Sequence, residues 1–161
     1  GSLNSQTIHI YNTNTWTEVQ TIQNISAFDI SVDGNFAVIG DRYYNGTAGS
    51  NSGAAYIYEN QSGTWTQVQK VEGENGNDYF GYSVAMNSGH AIVGAYGYDG
   101  VAGTDSGAAY IYENQSGTWT QVTMFEGEAA YDKFGWSVAI GGNYAMIGND
   151  KEKPVRVFRK L

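Results

Sequence analysis

The chain has 161 residues, with 16 Asp and Glu against 8 Lys and Arg, no cysteine, one proline and 22 glycines. That length suits one domain with its own core. The lack of cysteine excludes disulfides, thiol nucleophiles and thiolate metal sites, and the acidic balance argues against nucleic acid, which demands a basic surface. No apolar run approaches the roughly 20 residues of a membrane-spanning helix.

In chain order, residues 7–11 (TIHIY) and 15–19 (TWTEV) read as two strands joined by a turn at Asn12-Thr13-Asn14. Residues 28–32 (FDISV) and 36–41 follow as a hairpin through Asp33-Gly34, a pair that tolerates the positive φ of tight turns. Residues 54–59 and 64–71 form the next hairpin, through Asn60-Gln61-Ser62-Gly63. The pattern then repeats. Residues 52–68 (SGAAYIYENQSGTWTQV) recur letter for letter at residues 106–122, 54 residues later.

Four strand types account for one period. Type A is residues 80–86, matched by 134–140 and by 28–32. Type B is 90–95, matched by 36–41 and 144–149. Type C is 54–59 with its copy at 108–113, and type D is 64–71 with its copy at 118–125. Tyr, Val, Ile and Thr dominate these runs and alternate with polar residues, as half-buried strands require. Residues 7–11 and 15–19 are a C and a D strand, and residues 154–159 (PVRVFR) are a C strand without its D. A period near fifty made of short strands marks an array in which no repeat buries its own faces. Four antiparallel strands per repeat make a propeller blade. The expected fold is therefore an all-β β-propeller with about three blades per chain, completed by oligomerisation. Its single domain, 1–161, divides into units 1–24, 25–72, 73–126 and 127–161.

Phe80-Gly81, Gly94-Ala95-Tyr96 and the run Gly107-Ala108-Ala109-Tyr110-Ile111-Tyr112 give three ordered motifs. Together they resemble the FG-GAP repeat of integrin-alpha-like β-propellers, in the bacterial variant with FGxSVA, VGA and GxAYxY strands. Two departures stand out. The proline of the family name is replaced by Arg42, Tyr96 and Asp150, and the A–B turns lack the acidic calcium loop of integrin blades. Asn87-Ser88-Gly89 supplies no carboxylate and Asp33 stands alone, whereas calcium needs several converging oxygens. No metal and no cofactor are expected.

Catalysis has little to work with. His90 is replaced by Phe36 and Tyr144 in the other copies, which marks a packing position rather than a general base. The pairs Glu72/Glu74 and Glu126/Glu128 close strand D, where carboxylates face water. The chain is read as no enzyme. Trp16, Trp65 and Trp119 share the setting TWT, and packing between blades is favoured over sugar stacking.

In an antiparallel blade the A–B and C–D turns lie on one face, and the B–C and D–A connections on the other. The second set is long, at residues 42–52, 96–106, 73–79 and 127–133, and long loops on a rigid scaffold concentrate binding residues. The candidates there are Tyr43, Tyr44, Tyr96, Tyr98, Asp99, Asp105, Tyr131 and Lys133. Tyr44 and Tyr98 are matched in the repeat, so loop pinning is an equal alternative for them. Trp136 joins the set because Tyr82 and Ile30 are taken as its counterparts, which leaves it outside the scaffold's needs.

The expected function is a non-catalytic extracellular or cell-surface recognition module, acting as a homo-oligomer and binding a protein. A lectin-like propeller with a glycan ligand is the alternative. A dimer completing a six-bladed ring is the simplest closure. It leaves one C strand in surplus, either 7–11 or 154–159.

Overall fold

In the computed structural model, which describes residues 6–150 and 155–159, thirteen strands form four antiparallel sheets. Unit 1 pairs β1 (Thr7–Asn12) with β2 (Thr17–Gln23). Unit 2 runs β3 (Asp29–Asp33), β4 (Phe36–Asp41), β5 (Ala54–Gln61) and β6 (Thr64–Glu72), each strand bonded to the next. Unit 3 repeats this with β7 (Ser83–Asn87), β8 (His90–Ala95), β9 (Ala108–Gln115) and β10 (Thr118–Glu126). Unit 4 orders β11 (Ser137–Gly141), β12 (Tyr144–Gly148) and β13 (Arg156–Arg159). Pro154, expected to open this last C strand, lies outside the described residues.

The blades stack face to face. Unit 2 packs on unit 3 through Val38 and Ile57 against Val84, Val93 and Tyr110. Unit 3 packs on unit 4 through Ile92 and Ile111 against Ala145 and Ile147. Unit 1 covers part of unit 2 through Ile8, Ile10 and Ile22 against Tyr56 and Tyr58. A sheet between two neighbours buries both faces, so β5 and β9 are buried at five successive positions. Strands with a neighbour on one side only bury one face: β3, beside which unit 1 has no strand A among the described residues, and β11 of unit 4 alternate residue by residue.

Two strand boundaries differ from the expectation. Strand A begins at Ser83 and Ser137, because the Phe-Gly pair ahead of it serves another purpose. Phe80 and Phe134 are buried and form parallel bridges with Gly53 and Gly107. In unit 1, strand D begins at Thr17 rather than Thr15. The stretch from the strand-C tyrosine to the strand-D tryptophan is two residues shorter there (Tyr11 to Trp16, against Tyr58 to Trp65), so pairing stops at Asn12 and Thr17 and residues 13–16 make a four-residue turn where 62–63 suffice in the next copy. Trp16 is thereby moved out of the strand into the left-handed region at φ 55.

The repeated tryptophans consequently differ. Trp119 is 2% exposed and meets Phe36 edge to face at 5.5 Å. Trp65 is half-buried, and Trp16 is 76% exposed. Packing between blades holds for Trp119 and in part for Trp65, and fails for Trp16. A tryptophan of strand D packs on the preceding unit, and the described residues place no unit before Trp16.

The motif glycines lie where backbones of adjacent blades touch. A β-carbon on Gly40 would overlap the Gly81 carbonyl, and one on Gly94 would overlap that of Gly135. Gly94→Ala should therefore cost about 3 kcal/mol or more, at the upper end of overpacking penalties. Gly141→Ala, whose β-carbon meets nothing within 4 Å, should stay within about 0.5 kcal/mol of the parent. Thermal melts of the two variants check the contrast.

Candidate functional site

The B–C and D–A loops share one face and are bonded to each other. Asn77 N, Tyr79 N and Phe80 N donate to Ser50 O, Asn51 O and Ser52 O at 2.8–3.1 Å. One blade later, Tyr131 N, Lys133 N and Phe134 N donate to Thr104 O, Asp105 O and Ser106 O at 2.8–3.0 Å. These bonds hold four non-glycine residues, Asn77, Tyr79, Tyr131 and Lys133, at positive φ, a conformation that needs surrounding structure to maintain it.

Several candidates belong to this scaffold. Asp99 Oδ1 accepts a bond from Asp105 N at 2.8 Å, as Asn45 Oδ1 does from Asn51 N. Buried Ser106 Oγ accepts from Gly100 N and donates to Tyr98 O, closing the loop from inside. Tyr98 turns down onto Tyr110, and Tyr44 onto Tyr56. The Tyr44 hydroxyl also receives the Lys70 ammonium at 2.7 Å. That bond and the one to Glu72 hold the ammonium of Lys70 above its ordinary pKa, while Lys70 holds the Glu72 carboxyl below its own. Asp78 and Asp132, which sequence reasoning did not single out, are buried caps of the D–A turns. Asp132 Oδ2 accepts from Glu128 N and Ala129 N at 3.0 Å, and Asp78 Oδ2 from Asn75 N at 2.9 Å. Burial raises the Asp78 carboxyl, and the Asn75 amide partly offsets this.

The remaining candidates Tyr43, Tyr96, Lys133 and Trp136 converge in one aromatic cluster with Arg42, Phe28, Tyr79 and Tyr82. Tyr96 stacks on Tyr79 at 4.9 Å and 3°, meets Tyr82 edge-on at 4.6 Å, and lies 4.9 Å from Trp136. Tyr82 bridges Trp136 at 4.7 Å and Phe28 at 5.0 Å. The guanidinium of Arg42 covers the Phe28 ring at 3.7 Å and donates to the Tyr43 hydroxyl at 2.7 Å. Lys133 Nζ lies 5.7 Å from Trp136 and 3.9 Å from Asp150 Oδ2. Tyr131 stands apart, 66% exposed at its loop tip.

The cluster follows from register. Asp29, Ser83 and Ser137 pair with Gly40, Gly94 and Gly148, so the residue before each strand A is Phe28, Tyr82 or Trp136. The expected counterpart Ile30 is two residues out of place, and Trp136 belongs to an aromatic position filled in all three units. The residue two beyond each paired glycine is Arg42, Tyr96 or Asp150. Strand β7 lies between β3 and β11 and contacts both, so these two positions line one rim at the inner edge of the long-loop face. Aligning the copies on the B-strand glycine would have revealed Phe28, Tyr79 and Tyr82 from sequence.

Residues 65–112 and 119–156 match the FG-GAP repeat, and the chain belongs to that family. No curated protein sequence matches it. Among solved structures it resembles the Pseudomonas aeruginosa periplasmic gluconolactonase PpgL, a β-propeller, with a TM-score of 0.60 at 13% identity. The match covers 94% of this chain and 45% of that one, so the chain spans under half the length of that protein. The computationally designed Ika4 protein matches at 10% identity over 85% of this chain and 92% of its own, with a TM-score of 0.37.

Burial is the leading cause that raises the pKa of Tyr56, Tyr58, Tyr82, Tyr96, Tyr98, Tyr110 and Tyr112, with Tyr56 and Tyr96 pushed up to about 12. A raised folded pKa means that the folded state holds the proton more tightly. This stabilisation is complete below the unfolded value of about 10 and is lost as pH rises through the folded values. Unfolding and the later part of the near-ultraviolet tyrosinate signal should therefore rise together as pH passes from about 10 toward 12, above the value near 10 of a free tyrosine.

Asp33 Oδ2 accepts from Ser88 N at 2.6 Å across the blade junction, and among the described residues no three acidic or histidine side chains are grouped to hold an ion. EDTA should leave the melting temperature unchanged, whereas a bound ion's loss would lower it.

Proposed function

We propose that the chain is a non-catalytic recognition module of secreted or cell-surface proteins that works as an assembly of copies. It binds an extracellular protein through the aromatic rim of its long-loop face. The observation that carries this is the cluster of Tyr43, Tyr79, Tyr82, Tyr96 and Trp136 with Arg42 and Lys133 set against its rings. Tyrosine and tryptophan supply contact area at little entropic cost, and arginine on aromatic rings is typical of interface anchors. The FG-GAP family, whose repeats are typical of extracellular domains, supports the setting.

A glycan ligand would use the same rings. Tyr79 and Tyr96 already cover each other face to face, which leaves less open ring surface for sugar stacking and favours the protein reading. The gluconolactonase likeness, at 13% identity, bears on the fold alone.

The test is a binding screen of the immobilised chain against extracellular proteins and a glycan array, followed by variants. Tyr43→Ala with Trp136→Ala should weaken binding about tenfold or more, or about 1.4 kcal/mol. Trp119→Ala should instead destabilise the fold by about 3–5 kcal/mol. Binding confined to glycans would replace the protein reading by the lectin one, and turnover of a lactone substrate would overturn the non-catalytic one.

A further inference from the structure

We propose that two copies of this chain close a six-bladed ring head to tail, with Trp16 of each seated in a cavity between units 3 and 4 of the other. This deepens the assembly reading and rests on it, but it is independent of the ligand.

The chain carries its own template for the seat. Trp119 packs on the preceding blade against Phe36, in the cluster that includes Ile57 and Val68. Gln69 clamps the Trp119 backbone, donating to its carbonyl at 2.7 Å and accepting from its N–H at 3.0 Å. Moved on by one 54-residue repeat, these positions become His90, Ile111, Val122 and Thr123. All four line a cavity of about 240 Å³ that opens toward Tyr144 and Phe158. This is the place of a strand-D tryptophan on unit 4, and unit 4 has no strand D among the described residues.

Unit 1 holds the complement. It comprises a C and a D strand, and the side chains on its open side are exposed where their counterparts are buried. Trp16 is 76% exposed against 2% for Trp119, and Tyr11 is 53% exposed against 7% and 6% for Tyr58 and Tyr112. The second half of the seam matches too. A slot lined by Ile8, Ile10, Ile30, Val32 and Ile39 lies where strands A and B of unit 1 would run. Ile30 and Val32 are 45% and 59% exposed there, whereas Val84 and Met86, their counterparts in unit 3, are 5% and 6% exposed. On unit 4, Met146 is 47% exposed, whereas the equivalent Val38 and Ile92 are fully buried. Strands β11 and β12 of one copy thus fill the slot of the other, and β1–β2 of that copy completes their blade.

Blade number sets the stoichiometry. Two whole blades and one composite blade make three per chain, and propellers close with 4–8. One copy falls short and three overshoot, so two copies fit. A head-to-tail interface of this kind is self-limiting once the rotation closes.

The composite blade has room for one C strand. The hairpin β1–β2 is held by six register pairs and the four-residue β13 by four, so the hairpin enters whole, β13 gives way, and Tyr11 replaces Phe158. The seam is weaker than the inner joints. Thr123 stands where Gln20 and Gln69 clamp the next tryptophan, and Ala27 stands where Gly81 and Gly135 allow backbones to touch. The dimer is accordingly reversible.

Sedimentation equilibrium on the full chain over a wide concentration range provides the test. The parent should show a monomer–dimer equilibrium. Trp16→Ala, at an exposed position that leaves the monomer folded, should raise the dissociation constant about tenfold or more. Thr123→Gln, which restores the amide clamp, should lower it about threefold or more. A monomer at every concentration would overturn the seam together with the assembly reading. A dimer whose dissociation constant moves in neither variant would leave assembly standing and overturn the seam.

Discussion

Close backbone approach between neighbouring blades is the constraint on which the rest of the structure depends. Gly40 meets Gly81, Gly94 meets Gly135, and Gly53 and Gly107 meet the backbone of Phe80 and Phe134. The junctions are bonded as well as close: Phe80 N donates to Ser52 O of the preceding blade, and Phe134 N to Ser106 O, at 3.0–3.1 Å. Where two backbones touch, any β-carbon is an obstacle, which explains why the glycines of all three motifs recur at a fixed period. Phe80 and Phe134 are locked under these junctions, almost wholly buried, and the D–A loop is launched from a fixed point.

From that junction outward, side chains join the blades in layers. Asp29, Ser31 and Asp33 of β3 accept from Val84 N, Met86 N and Ser88 N, satisfying the exposed edge of β7 at 2.6–3.0 Å. Such edges are costly to leave unpaired. Further out, apolar residues of adjacent sheets interlock, and at the periphery Gln20 and Gln69 clamp the tryptophan of the next blade. Each layer is complete only where a blade has a neighbour. Trp16, Val32 and Met146 are exposed because, among the described residues, no blade lies against them.

The same order makes the long-loop face rigid. Loops tied to one another through backbone bonds, and closed from inside by Ser52 and Ser106, do not have to be ordered by a ligand. Binding surfaces preorganised in this way lose less entropy on association. Within that frame, Asp99, Asp105, Tyr44 and Tyr98 are occupied with holding the loops, while Tyr43, Tyr96, Trp136, Arg42 and Lys133 form a continuous aromatic and cationic rim. The Tyr96 hydroxyl, protonated at physiological pH like any tyrosine, is both a donor and an acceptor.

The sequence by itself determined the strand order, the four-strand period and the family, because an identical seventeen-residue run and three glycine motifs leave little freedom in how a repeat folds. It also located the long loops, since the lengths between strands can be counted directly. The register of strand A was not legible. The Phe-Gly pair resembles the start of a strand, and only its pairing with the preceding blade shows that it precedes one. That two-residue difference misplaced Trp136 and hid Phe28 and Tyr82, whose shared position depends on contacts 54 residues apart. Nor could the three tryptophans be told apart locally. Their neighbours are the same in sequence, and what separates Trp16 from Trp119 is whether another blade lies against it, which tertiary structure alone decides.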